Sequence, residues 1–107
     1  MSYGAYKSVV AANATNDTRD LEYRLLAQVT GQLIDARDGK LTLQERLAAV
    51  LKNEKIWSVF LSDLNEPGNG LPKALKVNLA SLALFVIKET NHVVDTDAPL
   101  DDLIMIN

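Results

Sequence analysis

The stretch that decides the fold is TLQERLAAVLKNEKIWSVFLSDL, residues 42–64. It opens with Thr42-x-x-Glu45, the spacing of a capping box, in which two side chains satisfy backbone amides at the start of a helix. Apolar residues then recur at helical spacing, with Ile56 and Phe60 on an adjoining flank of a stripe formed by Leu43, Leu47, Val50, Leu51, Trp57, Leu61 and Leu64. The proline and two glycines of residues 65–70 end the pattern. The stretch therefore predicts one long amphipathic helix.

Two further helices are predicted on either side of this stretch. The first runs from about Thr18 to Asp38 and stops at Gly39, a residue that tolerates the left-handed conformation of many helix ends. Its apolar stripe contains Leu21, Leu25, Val29 and Leu33, widened by Leu26 and Ile34. The other opens at Pro72, whose missing amide would have no partner there, and fades near Asn91 to Asp95. It is apolar nearly all round from Leu75 to Ile87, which predicts the central and most buried element.

Shorter apolar patterns mark the two ends of the chain. A weak amphipathic pattern from Tyr3 to Asn13 predicts a short N-terminal helix. Behind Pro99 lies an apolar end that contains Leu100, Leu103, Ile104, Met105 and Ile106. Isoleucines are costly to leave in water, so three interpretations stay open for this end. It packs against its own bundle, it meets a partner, or it belongs to an element that continues past Asn107.

These segments predict an all-α fold in one domain, residues 1–107. Short connections between the helices favour a small antiparallel bundle of three main helices, with short N- and C-terminal helical segments. Hydrophobic residues make up 48% of the chain, enough for a packed core. Gly31 lies in the middle of the first predicted helix, where it costs about 1 kcal/mol relative to alanine. Close packing of a neighbouring element against Gly31 is one explanation for that glycine.

The composition restricts the classes of function. The chain has no cysteine, which excludes disulfides and thiolate chemistry. Its net charge of −3 and the dispersal of its basic residues argue against direct contact with nucleic acid. No secretory signal is evident at the N-terminus, and the longest apolar stretch, Leu79 to Ile87, is about half the ~20 residues needed to cross a bilayer. We therefore expect a soluble, cytoplasmic protein without a membrane partner.

Residues with catalytic or metal-binding chemistry are sparse. His92 is the only histidine, and without cysteine the usual zinc sites cannot be assembled. Asp95, Asp97 and Asp101 match the start of a calcium loop, but Leu100 stands where that loop needs glycine. No serine has a nucleophile-elbow context, and no glycine-rich segment has the spacing of a phosphate loop. We expect no enzymatic activity, no cofactor and no metal.

A series of short motifs runs along the whole chain. In order they are Ser2-Tyr3-x-Ala5-Tyr6, Glu22-x-Arg24-Leu25, Asn53 with Trp57, Asp63-Leu64, Asn69-x-Leu71-Pro72 and Ser81-Leu82. No single motif is specific, but their order and separations resemble the FlaF family of flagellar biosynthesis regulators in alphaproteobacteria. The resemblance extends from Ser2 to Asn107. Members of that family usually continue for several residues past the equivalent of this end, which leaves open a shortened chain whose apolar end lacks part of its packing.

The resemblance implies a small cytoplasmic protein that acts in flagellin production alongside a second regulator, FlbT. It also implies that the protein binds flagellin as a secretion chaperone or adaptor and promotes filament assembly. An apolar groove would suit the amphipathic helical segments of unassembled flagellin. The contacts expected in such a groove come from the N-terminal segment, the flank at Ile56 and Phe60, and the apolar end. They are Tyr3, Tyr6, Phe60, Leu103 and Ile106.

Alternatives to the chaperone role stay open at the level of sequence. One is a post-transcriptional regulator of flagellin synthesis that acts through FlbT rather than by binding flagellin. The lack of a basic stripe disfavours direct RNA contact but leaves action through a protein partner open. Another is a structural subunit of a larger assembly. Trp57 and Phe60 suit a binding anchor, although the place of Trp57 in the core stripe favours packing.

Overall fold

A computed structural model describes the backbone of residues 8–107 and the side chains of residues 20–107. The described chain forms four helices: α1 (Ser8–Arg37), α2 (Leu43–Leu64), α3 (Lys73–Thr96) and α4 (Asp101–Ile106). No strand occurs within these residues. The predicted all-α fold, with three main helices and a short helical segment at the C-terminus, is confirmed.

The first helix is longer than predicted. α1 begins at Ser8 rather than near Thr18, so the residues from Ser8 onward that were expected to form a separate N-terminal helix belong to α1. The stretch from Asn13 to Thr18 is rich in short polar side chains that lower helix propensity, but it contains no glycine or proline to stop a helix. Residues 1–7 lie outside the described part of the chain.

The start of α2 has the predicted capping box. The backbone N–H of Glu45 donates to Thr42 Oγ1 at 3.1 Å, and the backbone N–H of Thr42 donates to Glu45 Oε1 at 2.9 Å. The Thr42 backbone N–H, and after it the Thr42 hydroxyl, stabilise the Glu45 carboxylate by hydrogen bonding and so lower the pKa of Glu45. The predicted stop at Gly39 is also confirmed, since this residue has a φ of 77° in the left-handed region.

The central element of the bundle is α2 rather than α3. α2 packs against both α1 and α3, and α4 packs against α1 and α3. At the start of α2, Arg46 Nη2 donates to Ala98 O at 2.8 Å and lies 3.3 Å from Asp97 Oδ1, beyond the end of α3. α2 and α3 are therefore antiparallel. The prediction that α3 is the most buried helix was wrong, because much of its apolar surface has no helix against it.

The core stripe of α2 also differs from the prediction. Leu43, Leu47 and Leu51 are exposed, whereas the buried residues of this helix are Ala49, Val50, Asn53, Ile56 and Trp57. The apolar surface of α2 is wider than the face that its neighbours cover, so one edge of it stays in solvent. The rest of the core is supplied by Val29, Leu33 and Ala36 of α1, Ala83, Val86 and Val93 of α3, and Leu100 and Leu103 around α4. Trp57 packs in this core, as its position in the stripe favours.

Gly31 does not mark a close approach of two elements. No heavy atom outside the surrounding backbone lies within 4 Å of the point that a Cβ would occupy at this residue. The sequence-based explanation of this glycine was therefore wrong, and its helix-weakening effect is uncompensated by packing.

Candidate functional site

The short helix α4 fills only part of a groove between α1 and α3. α4 has six residues, whereas α3 has 24. After the link at residues 97–100 the chain turns back, so α4 runs antiparallel to α3 and covers the C-terminal part of that helix. Leu100 and Leu103 are completely buried there, whereas Ile106 is half-buried at the last turn of α4. The N-terminal part of α3 therefore extends beyond the end of α4.

A polar cluster fixes the end of α4 to α1 and α2. Trp57 Nε1 donates to Asn107 Oδ1 at 2.8 Å. Asn107 Nδ2 in turn donates to Asn53 Oδ1 at 2.7 Å and to Thr30 Oγ1 at 3.0 Å. The Thr30 hydroxyl donates to Leu26 O at 2.7 Å, one turn back on α1. The side-chain amide of Asn107 thus joins the end of α4 to α1 and α2, through residues that lie 50 to 77 positions away in the sequence.

The orientation of each amide in this cluster follows from the indole. An indole N–H is a donor only, so the oxygen of Asn107 must face Trp57 and the nitrogen must face Asn53 and Thr30. Asn53 then presents its oxygen to Asn107. Its own nitrogen, Asn53 Nδ2, is buried and has no hydrogen-bond partner. The cluster consequently contains one unsatisfied donor within an otherwise complete network.

An apolar cavity opens where α4 ends. It measures about 550 Å³ and is lined by Asn78, Ser81, Leu82, Phe85 and Ile106. We call it the α3–α4 cavity. Its lining has no charged group, and the apolar side chains come from α3 and from the last turn of α4. Such a surface favours an apolar partner over a charged small molecule.

The apolar stripe of α3 passes from buried to exposed at this point. Val93 and Val86 are 3% and 0% exposed. Toward the start of α3, Leu79 on the same stripe is half-buried, whereas Leu82 and Leu75 at its edge are 40% and 42% exposed. On α2, the face that carries Asn53 and Trp57 continues to Phe60 and Leu64, which are half-buried. We call the exposed part of this α3 stripe, together with the α3–α4 cavity, the open groove; its apolar residues are Leu75, Leu82, Phe85 and Ile106.

A second cavity lies between α1 and α2. It measures about 250 Å³ and is lined by Glu22, Leu25, Lys52, Lys55, Ile56, Val59 and Phe60. We call it the α1–α2 cavity. Unlike the α3–α4 cavity it has a charged rim, and Lys52 Nζ already donates to Gln28 Oε1 at 3.1 Å across the two helices. Its smaller volume makes it the weaker candidate for a helix-sized partner.

The residues expected to contact a partner lie in different places. Tyr3 and Tyr6 fall outside the described residues. Phe60 stacks edge-on against Trp57, with ring centroids 5.5 Å apart, and lines the α1–α2 cavity. Ile106 lines the α3–α4 cavity. Phe60 and Ile106 are thus not in one cavity.

Leu103 requires a correction. It is 0% exposed and belongs to the core cluster, so it packs against its own bundle and is closed to a partner in this structure. Of the three interpretations of the apolar end, internal packing applies to Leu100 and Leu103. The exposed acidic pair Asp101 and Asp102 lies between these two leucines, whereas the last turn of α4 is apolar on its exposed side too, since Met105 is 76% exposed.

Sequence reasoning missed Leu82 and Phe85 as candidate contacts. Both belong to the stretch that is apolar nearly all round, which was predicted to be the central and most buried element. Ser81-Leu82 was among the motifs of the chain, but nothing in the motif itself indicated exposure.

Two other kinds of feature are absent from the described residues. No group of three or more His, Asp or Glu side chains there is arranged to hold a metal ion. None of the described helices combines the length and the apolar character that crossing a bilayer requires.

Comparisons with known proteins identify the family to which the chain belongs. Neither the curated proteins nor the solved structures contain a match to the chain. The family model described as flagellar protein FlaF, however, matches residues 2–107. The match covers the four helices, the polar cluster and both cavities. The chain therefore belongs to the FlaF family of flagellar proteins.

Proposed function

We propose that this flagellar protein binds flagellin as a secretion chaperone or adaptor and so promotes filament assembly. The partner is taken from what the family resemblance implies. The observation that carries the proposal is the α3–α4 cavity with the open groove beyond it, an uncharged apolar surface on an otherwise well-packed bundle. The role is binding without catalysis, and it is exercised in the cytoplasm before export.

The chemistry of the groove suits an unassembled filament subunit. Terminal segments of unassembled flagellin have an amphipathic helical pattern and are unstable until the filament buries them. A groove that accepts an apolar helix face covers such a segment and prevents premature association of subunits. Leu82 and Phe85, which are 40% and 42% exposed, offer apolar area for that purpose without any loss of internal packing.

The expected affinity is that of a releasable complex. Complete burial of a large apolar side chain contributes about 1.5–3 kcal/mol, so the exposed fractions of Leu75, Leu82 and Phe85 supply about 2–4 kcal/mol together. A similar contribution from the partner gives a gross value of about 4–8 kcal/mol, from which the cost of association must be subtracted. Because association costs about 4 kcal/mol or more, these three side chains alone support a millimolar complex at best, and tighter binding needs contacts elsewhere on the surface.

The uncharged lining also separates this proposal from direct RNA binding. Binding that depends on apolar burial changes little with salt, whereas binding to phosphates weakens steeply as salt rises. Asn78 and Ser81 are the polar groups of the α3–α4 cavity, and neither carries a charge. We therefore expect flagellin binding to persist as the ionic strength is raised.

A second candidate function is regulation of flagellin synthesis through FlbT. It is favoured by a separate apolar surface on α2, where Leu43, Leu47 and Leu51 follow one another at intervals of four residues and are all exposed. These residues line neither cavity. A protein partner bound there would leave the open groove free, so regulation and flagellin binding are compatible on one bundle.

Titration of the purified chain with monomeric flagellin tests the proposed function. Calorimetry at several temperatures should show saturable one-to-one binding with a negative heat-capacity change, because apolar surface is buried. A Leu47→Gln variant, altered on the separate surface of α2, should bind equally well. If a folded sample gives no heat and does not co-migrate with flagellin in gel filtration, flagellin binding is wrong. Binding to FlbT would then be the next measurement.

A further inference from the structure

We propose that two copies of this chain pair through the surface of α2 and α3 that lies away from α4, with the carboxylate of Glu54 in each copy bound to the ammonium of Lys88 in the other. The partner is thus a second copy of the chain. This inference goes beyond the proposed function, which uses the other side of α3. Leu47 and Leu51 also belong to the surface offered to FlbT, so pairing of two copies and binding of FlbT would exclude each other.

The surface consists of residues that share the side of the α2–α3 pair opposite α4. On α3, Leu84 lies two residues, or about 200° round the helix, from Leu82, which lines the α3–α4 cavity. On α2, Leu51 lies at the same angle from Asn53, which accepts a hydrogen bond from Asn107 at the end of α4. Leu51 and Leu84 therefore point away from α4. We call this surface the α2–α3 face, and its members are Leu47, Leu51, Glu54, Leu61, Leu84, Lys88 and Val94.

Glu54 and Lys88 lie at the same level of the two helices. Arg46 Nη2, at the start of α2, is 3.3 Å from Asp97 Oδ1, just past the end of α3. Because the helices are antiparallel, residues counted forward from Arg46 lie beside residues counted backward from Asp97. Glu54 is eight positions after Arg46, and Lys88 is nine positions before Asp97. The two opposite charges therefore face the same side, one on each helix.

Apolar residues occupy the levels on both sides of these charges. By the same count, Val94 of α3 lies at a level between Leu47 and Leu51 of α2, and all three are exposed. Toward the other end of the face, the exposed Leu84 of α3 lies near the level of the half-buried Leu61 of α2. The α2–α3 face thus has an apolar level, a charged level and a second apolar level.

This arrangement is complementary to itself. A two-fold axis along the groove between α2 and α3 keeps each level in place and exchanges the two helices, so that α2 of one copy lies on α3 of the other. At the charged level, Glu54 of each copy then meets Lys88 of the other, which gives two opposite-charge pairs. At the other levels, apolar residues meet apolar residues.

The charges also favour a second copy over a purely apolar partner. Glu54 is half-buried in the row of Leu47 and Leu61, seven positions from each. Within the described part of the chain, neither Glu54 nor Lys88 takes part in an ion pair. Covering Glu54 with an apolar surface would leave a carboxylate buried without a cation, which is costly. A second copy brings Lys88 to that position and relieves the cost.

The size of the α2–α3 face is sufficient for a reversible dimer. Residues 47 to 61 rise by about 1.5 Å each, so the face is about 25 Å long with its side chains, and two adjacent helices make it about 20 Å wide. Each copy therefore offers about 500 Å², and the pair buries about 1,000 Å² in total. This area is at the lower limit for a specific interface, so the dimer should dissociate on dilution.

Sedimentation velocity of the purified chain tests whether the dimer forms. Between about 1 µM and 1 mM, the chain should change from monomer to dimer, as expected of an interface of this size. A chain that stays monomeric at about 1 mM, or that forms larger species without a dimer, overturns the inference.

Exchange of the two charges tests the pairing. Glu54→Lys and Lys88→Glu each place like charges against each other, so either variant alone should dimerise about tenfold more weakly or worse. An equimolar mixture of the two variants restores both opposite-charge pairs and should dimerise within about threefold of the parent chain. Lys55→Glu is the matched control, because Lys55 is exposed beside Glu54 but lines the α1–α2 cavity, and it should change dimerisation by less than about twofold.

Two substitutions on α3 test which side of the bundle is used. Leu84→Glu places a charge in an apolar level of the α2–α3 face and should weaken dimerisation by about tenfold or more. Leu82→Glu makes the same change about 200° away and should alter it by less than about twofold. Both leucines are exposed, so both variants should keep the helical signal and thermal midpoint of the parent chain at about 1 µM, where the chain is monomeric.

The outcomes decide the inference independently of flagellin binding. A dimer that each charge variant and Leu84→Glu weaken, and that the mixture restores, supports the α2–α3 face. A dimer weakened by Leu82→Glu but not by Leu84→Glu joins the copies through the open groove and overturns the inference. Failure of the mixture to dimerise, although both variants are folded, also overturns it. Titration of Leu84→Glu with monomeric flagellin measures the proposed function separately, and binding at the parent affinity leaves that function standing whichever way dimerisation is decided.

Discussion

Replacement of Asn107 by alanine is expected to destabilise the bundle by about 2–4 kcal/mol, although Asn107 itself is only half-buried. The substitution removes the acceptor of the Trp57 indole N–H and the donor to Asn53 Oδ1. Both groups lie in the core, and each buried group left without a partner costs about 1–3 kcal/mol. The Thr30 hydroxyl keeps its bond to Leu26 O, so it adds little. Water that enters beside the truncated side chain limits the loss to the lower part of the range.

Guanidinium unfolding followed by tryptophan fluorescence measures this loss, because Trp57 is the only tryptophan and makes one of the affected hydrogen bonds. For a domain of this length, the expected loss lowers the thermal midpoint by about 8–16 °C. Met105→Ala is the matched control, since Met105 belongs to the same helix but is largely exposed. If Asn107→Ala and Met105→Ala agree within about 0.5 kcal/mol, the polar cluster does not hold the end of α4 and the reasoning is refuted.

A second substitution at Asn107 separates the hydrogen bonds from the loss of volume. Asn107→Asp keeps an acceptor for Trp57. The Asn53 amide can turn to present its nitrogen, which has no partner in the present structure, and the Thr30 hydroxyl can rotate to donate. All three neighbours can therefore donate to the carboxylate. We expect Asn107→Asp to be less destabilising than Asn107→Ala at neutral pH, and the reverse order would contradict the network.

The other predictions concern backbone, cap and core. In thermal unfolding, Gly31→Ala should stabilise the bundle by about 0.5–1 kcal/mol, because a Cβ at this residue meets no other atom. Gly39→Ala should destabilise it by about 1 kcal/mol, because the backbone φ of Gly39 is positive. Thr42→Ala should cost about 1 kcal/mol through loss of the capping box. Because the pKa of Glu45 is lowered in the folded chain, its stabilising effect is present above the ordinary pKa of glutamate and is lost as the pH falls through the lowered pKa. In the Glu45→Gln variant, the free energy of unfolding should therefore fall less steeply as the pH is lowered. An unchanged pH dependence in the acid range would contradict this prediction. Leu103→Ala should cost about 2–5 kcal/mol by creating a cavity, while Leu43→Ala should stay within about 0.5 kcal/mol; similar losses for both would contradict the burial described here.

The sequence determines the local features of the fold most directly. The capping box at Thr42 and Glu45, the stop at Gly39 and the break at residues 65–70 depend on neighbouring residues, so their chemistry can be recognised without the fold. The start of α1 was predicted wrongly because that prediction, too, relied only on neighbouring residues. Weak helix formers near Asn13 indicated a boundary, but no breaking residue stands there, and a helix continues when nothing ends it.

The candidate site was less predictable, because it depends on which surfaces meet. An apolar surface all round α3 is compatible with complete burial and with an uncovered groove, and only the short length of α4 distinguishes them. Nor could the polar cluster be predicted, since Asn107 and Thr30 are 77 positions apart and an asparagine near a chain end normally lies in solvent. Of the expected contacts, Ile106 was placed beside the open groove and Leu103 in the core.

The half-filled groove has a consequence for how stability is distributed along the bundle. Where α4 is present, four helices surround the core, and where it is absent only three do. Backbone amides beside Val86, Val93 and Leu103 should therefore exchange with deuterium only on global unfolding, whereas those at the start of α3, near Leu75, should exchange by local opening. The local free energy of opening is thus expected to be lowest at the end of the bundle that carries the start of α3. Occupancy of the groove would raise it there, so that protection from exchange spreads along α3 and the loaded chain behaves as one cooperative unit.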